Sequence, residues 1–410
     1  MIIDIKTLRR SSSPKSVKLA LSFMTTLLTL ACWSLVFSIF ANCKKEGSEG
    51  SGNTPGAQGD TIKIGEVGSM TGLEATYGQS THDGIEMAIN EANAAGGVKG
   101  KKLQIIKYDN QGKTDESATA ITRLITQDKV IAVLGEVASS RTLAMAPIAQ
   151  MNKIPLISPS STNPKVTETG DYIFRVCFID PFQGTVMARF ATETLKLKKV
   201  AILRDVKNDY SIGLADYFAE RFQKDGGEIV IDQSYSNGDM DFKSQLTSIR
   251  AKSPQAIFVP GYYSDVGLIA RQAKELGLNV PLMGGDGWDS PKLTEIAGKA
   301  IDGSYFSNHY SFEDTAPQVQ AFVQKFKQTY GVVPGGLTAL AYDAARILVD
   351  AMKKAASLDP ALIRAQLATE KDFQGVTGKI TMDEKRNPVK SAVVLKVENG
   401  AYKYQTTINP

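Results

Sequence analysis

Hydroxyl-bearing side chains follow directly on a short apolar run in the first half of the sequence. Residues 154–157 read Ile-Pro-Leu-Ile, and four of the five residues at 158–162 are Ser or Thr. Hydroxyls beside a helix start suit an anion, because free backbone N–H groups and the positive end of the helix dipole face the same point. Part of the stretch has a structural interpretation, since Asn163 and Pro164 are typical of the N-cap and first position of a helix.

More polar and aromatic side chains follow other predicted strands. Ligands of open α/β sheets bind outside the carboxyl ends of the parallel strands, so we expect these side chains to meet. In the first half of the chain the positions hold hydroxyls, which suit a carboxylate. In the second half they hold tyrosines and an acid, which suits an ammonium group, so the set predicts a site for a small zwitterion such as an α-amino acid. The candidates are Ser139, Ser160, Thr162, Tyr210, Tyr262 and Asp286.

Each candidate also has a purely structural interpretation. A hydroxyl at a strand–helix junction commonly caps the helix. Asp286 lies in a Gly-rich stretch that is typical of a turn, and Trp288 is of a type that packs in protein cores. The set as a whole, with one candidate after each of several strands, favours the binding interpretation.

The sequence lacks the motifs of the common enzyme classes. It has no G-x-x-x-x-G-K-[ST] loop, no G-x-G-x-x-G between strand and helix, and no G-x-S-x-G elbow. Its two histidines, His82 and His309, are not paired with other metal-ligand residues at typical spacing. We therefore expect a protein that is not an enzyme and that uses no cofactor and no metal. A secreted α/β enzyme with a Ser-His-Asp triad stays open as an alternative, because that triad has no sequence marker.

Strand and helix patterns alternate from residue 61 onward, and the alternation restarts near residue 181. Apolar runs read as buried strands, and amphipathic stretches such as 77–95 read as helices. Strands that alternate with helices of this length predict parallel sheets covered by helices on both faces. A chain of 410 residues is too long for one core, so the two series predict an α/β fold with two doubly wound lobes. Near the C-terminus, Asn399-Gly400 predicts a tight I′ hairpin turn.

The first 42 residues differ in composition from the rest of the chain. A basic lead precedes residues 19–41, which carry no charge, and this pattern is typical of an export signal. We expect a lipoprotein-type signal peptide at 1–42, lipidation of Cys43 and a flexible, Gly-rich tether at 43–60. Cys32 is a weaker candidate for lipidation. An uncleaved membrane anchor is the alternative, because the apolar stretch is long enough to span a bilayer.

The charge balance argues against a nucleic-acid partner. Of the chain's 47 basic and 43 acidic residues, five basic residues and one acidic residue lie in the predicted signal. The remainder therefore carries equal numbers of each sign, and no basic excess is left for a polyanion. Cys177 is the only cysteine beyond the tether, so no disulfide framework is expected, and we interpret it as a core residue.

Several separated segments match one protein family in order and spacing: GSMTGLEATYGQSTHDGIEMAINEANAAGGVKGKKLQIIKYDN, VASSRT, IPLISPSSTNP, GYYSDVGLIARQAKELGL and MGGDGWDSP. On these segments, residues 61–409 resemble the branched-chain amino-acid type of periplasmic binding protein, the Leu/Ile/Val-binding-protein-like receptors of ABC importers. The resemblance implies the type I periplasmic binding protein fold, in which two doubly wound parallel-sheet lobes are joined by a three-segment hinge around a ligand cleft. It places lobe 1 at 61–180 plus 307–393 and lobe 2 at 181–306 plus 394–410.

The resemblance also implies roles for individual residues. Hydroxyls bind the ligand carboxylate in this family, an acid binds the ammonium group, and aromatic side chains wall the cleft. The chain departs from some members at Ala138, which replaces a half-cystine, at Trp288, which adds a bulky aromatic, and at Glu136, which adds an acid near the cleft. The corresponding positions here are Ser139, Ser160 and Thr162 for the carboxylate, Asp286 for the ammonium group, and Tyr77, Tyr210 and Tyr262 for the wall. We also expect Ala138 and Trp288 to be ligand-binding positions.

The implied function is capture of leucine, isoleucine or valine between the lobes and delivery to the permease and ATPase subunits of an ABC importer. We expect a monomer that is held at a membrane of the cell envelope or periplasm by its lipid. Two alternatives keep the same fold. One is a sensory receptor domain, and the other is a binding protein for an amide, urea or an aromatic compound.

Overall fold

The computed structural model describes residues 61–410, so the predicted signal peptide, Cys43 and the tether lie outside the described residues. The first elements are β1 (Ile62–Gly68), α1 (Ala75–Ala94), β2 (Leu103–Asp109), α2 (Thr114–Arg123), β3 (Val133–Leu134), α3 (Ser139–Met151), β4 (Leu156–Ser158), α4 (Lys165–Glu168) and β5 (Ile173–Arg175). The next are α5 (Asp180–Arg189), β6 (Lys199–Asp205), α6 (Asp209–Lys224), β7 (Glu228–Tyr235), α7 (Lys243–Ala251), β8 (Ala256–Phe258), α8 (Tyr263–Glu275), β9 (Leu282–Gly284), α9 (Pro291–Ala297) and β10 (Tyr305–Asn308). The last are α10 (Pro317–Tyr330), α11 (Gly336–Lys354), α12 (Pro360–Ala368), β11 (Phe373–Gly375), β12 (Gly378–Ile380), β13 (Ala392–Glu398) and β14 (Ala401–Ile408).

The first sheet has five parallel strands in the order β2-β1-β3-β4-β5. Successive residues of its short central strands join different cores, since Val133 packs with residues of α2 and α3 while Leu134 packs with residues of α1 and α11. Burial on both faces explains why these strands read as continuous apolar runs. Helices α1 and α11 approach closely at Gly84, where an added Cβ would lie 2.3 Å from the carbonyl oxygen of Thr338.

The second sheet has seven strands in the order β14-β13-β10-β9-β8-β6-β7. Strands β6 to β10 pair in parallel, and β13 and β14 extend the sheet as an antiparallel hairpin. The predicted hairpin turn is confirmed, because Glu398 pairs with Ala401. Asn399 and Gly400 have φ angles of 51° and 76°, the positive values that a type I′ turn requires.

The chain crosses between the two lobes three times. The first crossing leads from β5 to α5, the second from β10 to α10, and the third from β12 to β13. The α/β architecture is therefore two doubly wound lobes joined by a three-segment hinge, as the sequence predicts, although the lobe boundaries to the residue stay a prediction. None of the helices in residues 61–410 is both long and apolar enough to cross a bilayer.

Candidate functional site

Asp286 lies at the point where the two lobes meet. It follows β9 and begins a single 3₁₀ turn, Asp286–Trp288, and its side chain is buried. Three side chains donate hydrogen bonds to its carboxylate, each over 2.9 Å. Ser160 Oγ and His309 Nε2 contact Oδ2, and Gln183 Nε2 contacts Oδ1. Because Ser160 follows β4 of lobe 1, the carboxylate of lobe 2 is bonded directly across the interface between the lobes.

The hydrogen bonds keep this buried carboxylate charged. Burial alone would raise the pKa of Asp286, but the hydrogen bonds from His309, Gln183 and Ser160 hold that pKa below its ordinary value. Burial lowers the pKa of His309, and this outweighs the opposing effect of Asp286. At neutral pH the pair is therefore an aspartate anion and a neutral imidazole whose Nε2–H donates, and it carries one negative charge.

A small cavity of about 20 Å³ adjoins Asp286 between the lobes. This is room for about one water molecule, so the lobes must part to admit an organic ligand. Asp286 is the only titratable carboxylate or amine on its wall within the described chain. The lining residues are Tyr77, Val137, Ala138, Ser139, Ser160, Tyr210, Tyr262, Asp286, Gly287 and Leu337.

The lobe 1 side of the cavity is formed by strand–helix junctions. Ser139 is the first residue of α3, and no side chain caps the first turn of this helix within the described residues. The N-terminal N–H groups and the positive end of the α3 dipole therefore lie at the cavity wall, beside the Ser139 hydroxyl. Ser139 Oγ accepts a hydrogen bond from the backbone N–H of Asn163 over 3.2 Å, which ties the two junctions together.

Three tyrosines form the aromatic wall and bridge the lobes. Tyr77 of α1 donates from its hydroxyl to the carbonyl oxygen of Gly287, and the N–H of Gly287 donates to the Tyr210 hydroxyl over 3.1 Å. Tyr262 contacts Tyr77 edge-on at 5.5 Å between ring centroids and stacks on Tyr210 at 5.6 Å. Burial raises the pKa of Tyr77 and of Tyr210, so both rings are neutral and the wall adds no charge.

Two predicted site residues do not line this cavity. Thr162 is fully buried, and its backbone oxygen accepts a hydrogen bond from the N–H of Asp180 at the first crossing over 3.0 Å. Trp288 is also fully buried, and its Nε1–H donates to the carbonyl oxygen of Val259 over 3.0 Å. The indole lies against Gly284, where an added Cβ would be 2.2 Å away. The position of Trp288 matches the core interpretation, and a ligand role for Thr162 stays a prediction.

Glu136 lies beneath the cavity wall and does not face the cleft. It is fully buried, and its carboxylate accepts hydrogen bonds from Ser69 Oγ over 2.8 Å and from the backbone N–H of Ala138 over 2.5 Å. The hydroxyls of Ser158 and Ser161 donate to its carbonyl oxygen. The crowded hydroxyls at 158–162 therefore have two roles, because Ser160 lines the cavity while Ser158 and Ser161 hold the loop that carries Ser139.

Sequence reasoning missed several parts of the site. Gln183 and His309 donate hydrogen bonds to Asp286 and do not line the cavity. The cavity wall also includes Val137, Gly287 and Leu337. A signal for His309 was present, since it directly follows β10, where the strand-end rule applies. It was missed because β10, with the sequence YFSN, is too short and too polar to read as a strand.

Comparisons with known proteins agree with this arrangement. Residues 61–401 match the family model described as periplasmic binding protein. A leucine-, isoleucine-, valine-, threonine- and alanine-binding protein of Pseudomonas aeruginosa is 33% identical over 328 residues, which are 80% of this chain and 87% of that protein. The crystal structure of the leucine-binding protein LivK of Thermotoga maritima is 39% identical with a TM-score of 0.82, over 85% of this chain and 99% of that one.

A third similar protein is the branched-chain amino-acid substrate-binding protein LivJ of Streptococcus pneumoniae, solved in complex with isoleucine. It is 36% identical with a TM-score of 0.82, over 86% of this chain and 100% of that one. The matched region spans both lobes and all three crossings, so the likeness covers the complete cleft and not a single lobe. The chain belongs to the periplasmic binding protein family.

Proposed function

We propose that the protein captures an aliphatic α-amino acid and delivers it to the permease of an ABC importer. Leucine, isoleucine and valine are the proposed ligands. One observation carries the proposal. A single buried carboxylate, Asp286 of lobe 2, stands in a small neutral cavity whose opposite lobe contributes hydroxyls and an uncapped helix start. Such a site has one place for a cation and one for an anion, which matches a zwitterion.

In this account each end of the ligand has its own partners. The ammonium group binds Asp286 and replaces the hydrogen bond from Ser160. The carboxylate binds the Ser139 hydroxyl beside the start of α3 and the Ser160 hydroxyl, whose single proton turns from Asp286 to the ligand. The aliphatic side chain packs among Val137 and Leu337 and the tyrosine rings, where no second charge is available to a longer polar side chain. The ligand contacts both lobes only when they are closed, so binding shifts the equilibrium toward the closed form and no bond is made or broken.

The relatives support the choice of ligand. The Pseudomonas protein is named for binding leucine, isoleucine, valine, threonine and alanine, and the Streptococcus structure contains isoleucine. Family membership supports a location outside the cytoplasm. We propose that it works there as a monomer, held at the membrane by a lipid on Cys43, with permease and ATPase subunits as its partners.

Calorimetry with L-leucine and with two analogues that each lack one of its charged groups tests whether the site binds a zwitterion. L-leucine at 100 times its Kd should stabilise the protein by about 2.7 kcal/mol. The amine 3-methylbutylamine lacks the carboxylate and 4-methylpentanoate lacks the ammonium group, and each should bind at least about tenfold more weakly than leucine because one end of the site stays unpaired. Binding of either analogue as tightly as leucine would contradict the proposal.

A second experiment distinguishes a transport role from a sensory role. Import of leucine in a system reconstituted with the cognate permease would support transport.

A further inference from the structure

His309 joins the proposed ligand site to the hinge. It follows β10 at the start of the second crossing, and its ring is fully enclosed. One face stacks on Phe178 of the first crossing, with ring centroids 3.7 Å apart. Its Nε2 contacts Oδ2 of Asp286 at 2.9 Å, the same oxygen that accepts the hydrogen bond from Ser160.

The contacts of His309 differ between its two nitrogens. Nε2 has Asp286, whereas Nδ1 is buried and has no hydrogen-bond partner among residues 61–410. A neutral imidazole needs only one donor contact, while a protonated imidazole presents two N–H donors. The surroundings therefore suit the neutral ring, which positions Asp286 and leaves the negative charge of its carboxylate free for a cation.

We propose that His309 is the positioning residue of Asp286 and that a proton on His309 competes with the ligand ammonium group for that carboxylate. The inference rests on the proposed function. A protonated His309 and Asp286 would form an internal ion pair, so a bound ammonium group would place two cations on one buried anion. When the ligand binds, His309 therefore releases its proton to the buffer, and the ammonium group becomes the only cation on Asp286.

The direction of the pH effect follows from linkage. If binding expels a proton from His309, then protonation of His309 weakens binding by the same factor. Above the pKa of His309 in the empty protein the affinity is constant, and below it the Kd rises toward a limit of about tenfold per pH unit. Burial in the closed form lowers the pKa of His309 from its ordinary value, so the closed site binds an ammonium group at neutral pH and binds it less tightly on acidification.

Four other titratable groups around the pair keep one charge state in weak acid, the range in which His309 takes up its proton. Burial raises the pKa of Asp180 to about 8 and that of Cys177 to about 12, so both are neutral in weak acid. Burial lowers the pKa of Lys390, on the third crossing, to about 8. Lys390 is therefore cationic in weak acid, where it opposes a charge on His309. Tyr210 stays neutral, because burial raises its pKa.

The experiment is calorimetric titration with L-leucine from about pH 7.5 down to about pH 4, a range in which leucine stays zwitterionic and which extends well below the ordinary pKa of histidine. Each protein is compared with its own Kd at the higher pH. We expect the wild-type Kd to rise at least about threefold, and binding at the lower pH to release protons, seen as an enthalpy that depends on the ionisation enthalpy of the buffer. His309→Gln keeps an N–H donor but cannot take up a proton, so its Kd should change by less than about twofold.

The chain offers a matched control in its other histidine. His82 on α1 contacts Glu66 at 2.9 Å and lies outside the cavity lining. Its hydrogen bond to Glu66 raises its pKa from the ordinary value of histidine. His82→Gln should keep the wild-type pH dependence.

Three results would overturn the inference. One is a wild-type profile as flat as that of His309→Gln, and another is loss of the pH dependence in His82→Gln. The third is wild-type binding without proton release at the lower pH, which decides the question even if His309→Gln does not fold. Failure of L-leucine to bind at about pH 7.5 would overturn the proposed function and this inference with it, whereas pH-independent binding overturns the inference alone.

Discussion

Ser160 and Ser161 are neighbours in the chain, but their hydroxyls have different tasks. Ser160 lines the cavity and donates to Asp286 of the other lobe over 2.9 Å. Ser161 points into lobe 1, where it bonds the carbonyl oxygen of Glu136 at 3.0 Å and the hydroxyl of Thr142 at 2.7 Å. We therefore expect Ser160 to serve ligand binding and its neighbour Ser161 to serve folding.

Alanine at each position should give opposite results. Ser160→Ala removes a hydrogen bond to a charged group that exists only in the closed form, so the Kd for leucine should rise about tenfold or more. The unfolding temperature of the empty protein should change little. Ser161→Ala leaves buried partners unsatisfied and should lower the free energy of unfolding by about 1–2 kcal/mol, with a Kd within about twofold of wild type. Calorimetry and thermal denaturation measure both quantities. A stability loss in Ser160→Ala with unchanged affinity would instead favour a capping role.

At the scale of elements, a carboxylate of one lobe caps a helix of the other. Asp289 follows the 3₁₀ turn that carries Asp286, and its Oδ2 accepts hydrogen bonds from the backbone N–H groups of Gly336 at 2.5 Å and Leu337 at 3.3 Å. These are the first residues of α11 in lobe 1, and Leu337 lines the cavity. The cap couples closure of the lobes to the position of the cavity wall.

Loss of this cap should weaken ligand binding, although Asp289 itself does not contact the ligand. Removal of an N-cap side chain costs about 1 kcal/mol. Because the cap forms between lobes, that cost falls on closure, and Asp289→Ala should raise the Kd for leucine about fivefold. Asp289→Asn retains a capping oxygen and should lie between alanine and wild type. An unchanged Kd together with a lower unfolding temperature would show that the cap serves folding alone.

Elements with strong periodicity could be predicted from the sequence, and weakly patterned ones could not. The long helices and the apolar strands were evident, because burial on both faces leaves continuous apolar runs. Strand β10 and helix α12 were missed, since the four residues of β10 are half polar and α12 is short. His309 was missed with β10. Its contact with Asp286 also depends on a crossing between lobes, which local patterns do not encode.

At the scale of the whole molecule, the two lobes meet on several sides of the cavity. The hydroxyls of Thr76 and Ser290 are 2.8 Å apart, and Asn163 Nδ2 donates to the carbonyl oxygen of Asp209 over 2.8 Å. These contacts join lobe 1 to lobe 2 and describe a closed cleft. A ligand can therefore enter only when the three crossings allow the lobes to separate, which gives the hinge its role in capture and release.

In the proposed complex a zwitterion is held between the lobes by the charge of Asp286. The most direct test is calorimetric titration of wild type and Asp286→Asn with L-leucine at neutral pH, with thermal denaturation to show that both are folded. Asparagine keeps the shape of the side chain but removes the anion. We expect tight binding by wild type and a loss of affinity of at least about 30-fold in the variant, which corresponds to about 2 kcal/mol for an unpaired buried charge. Equal affinity in the two folded proteins would contradict it.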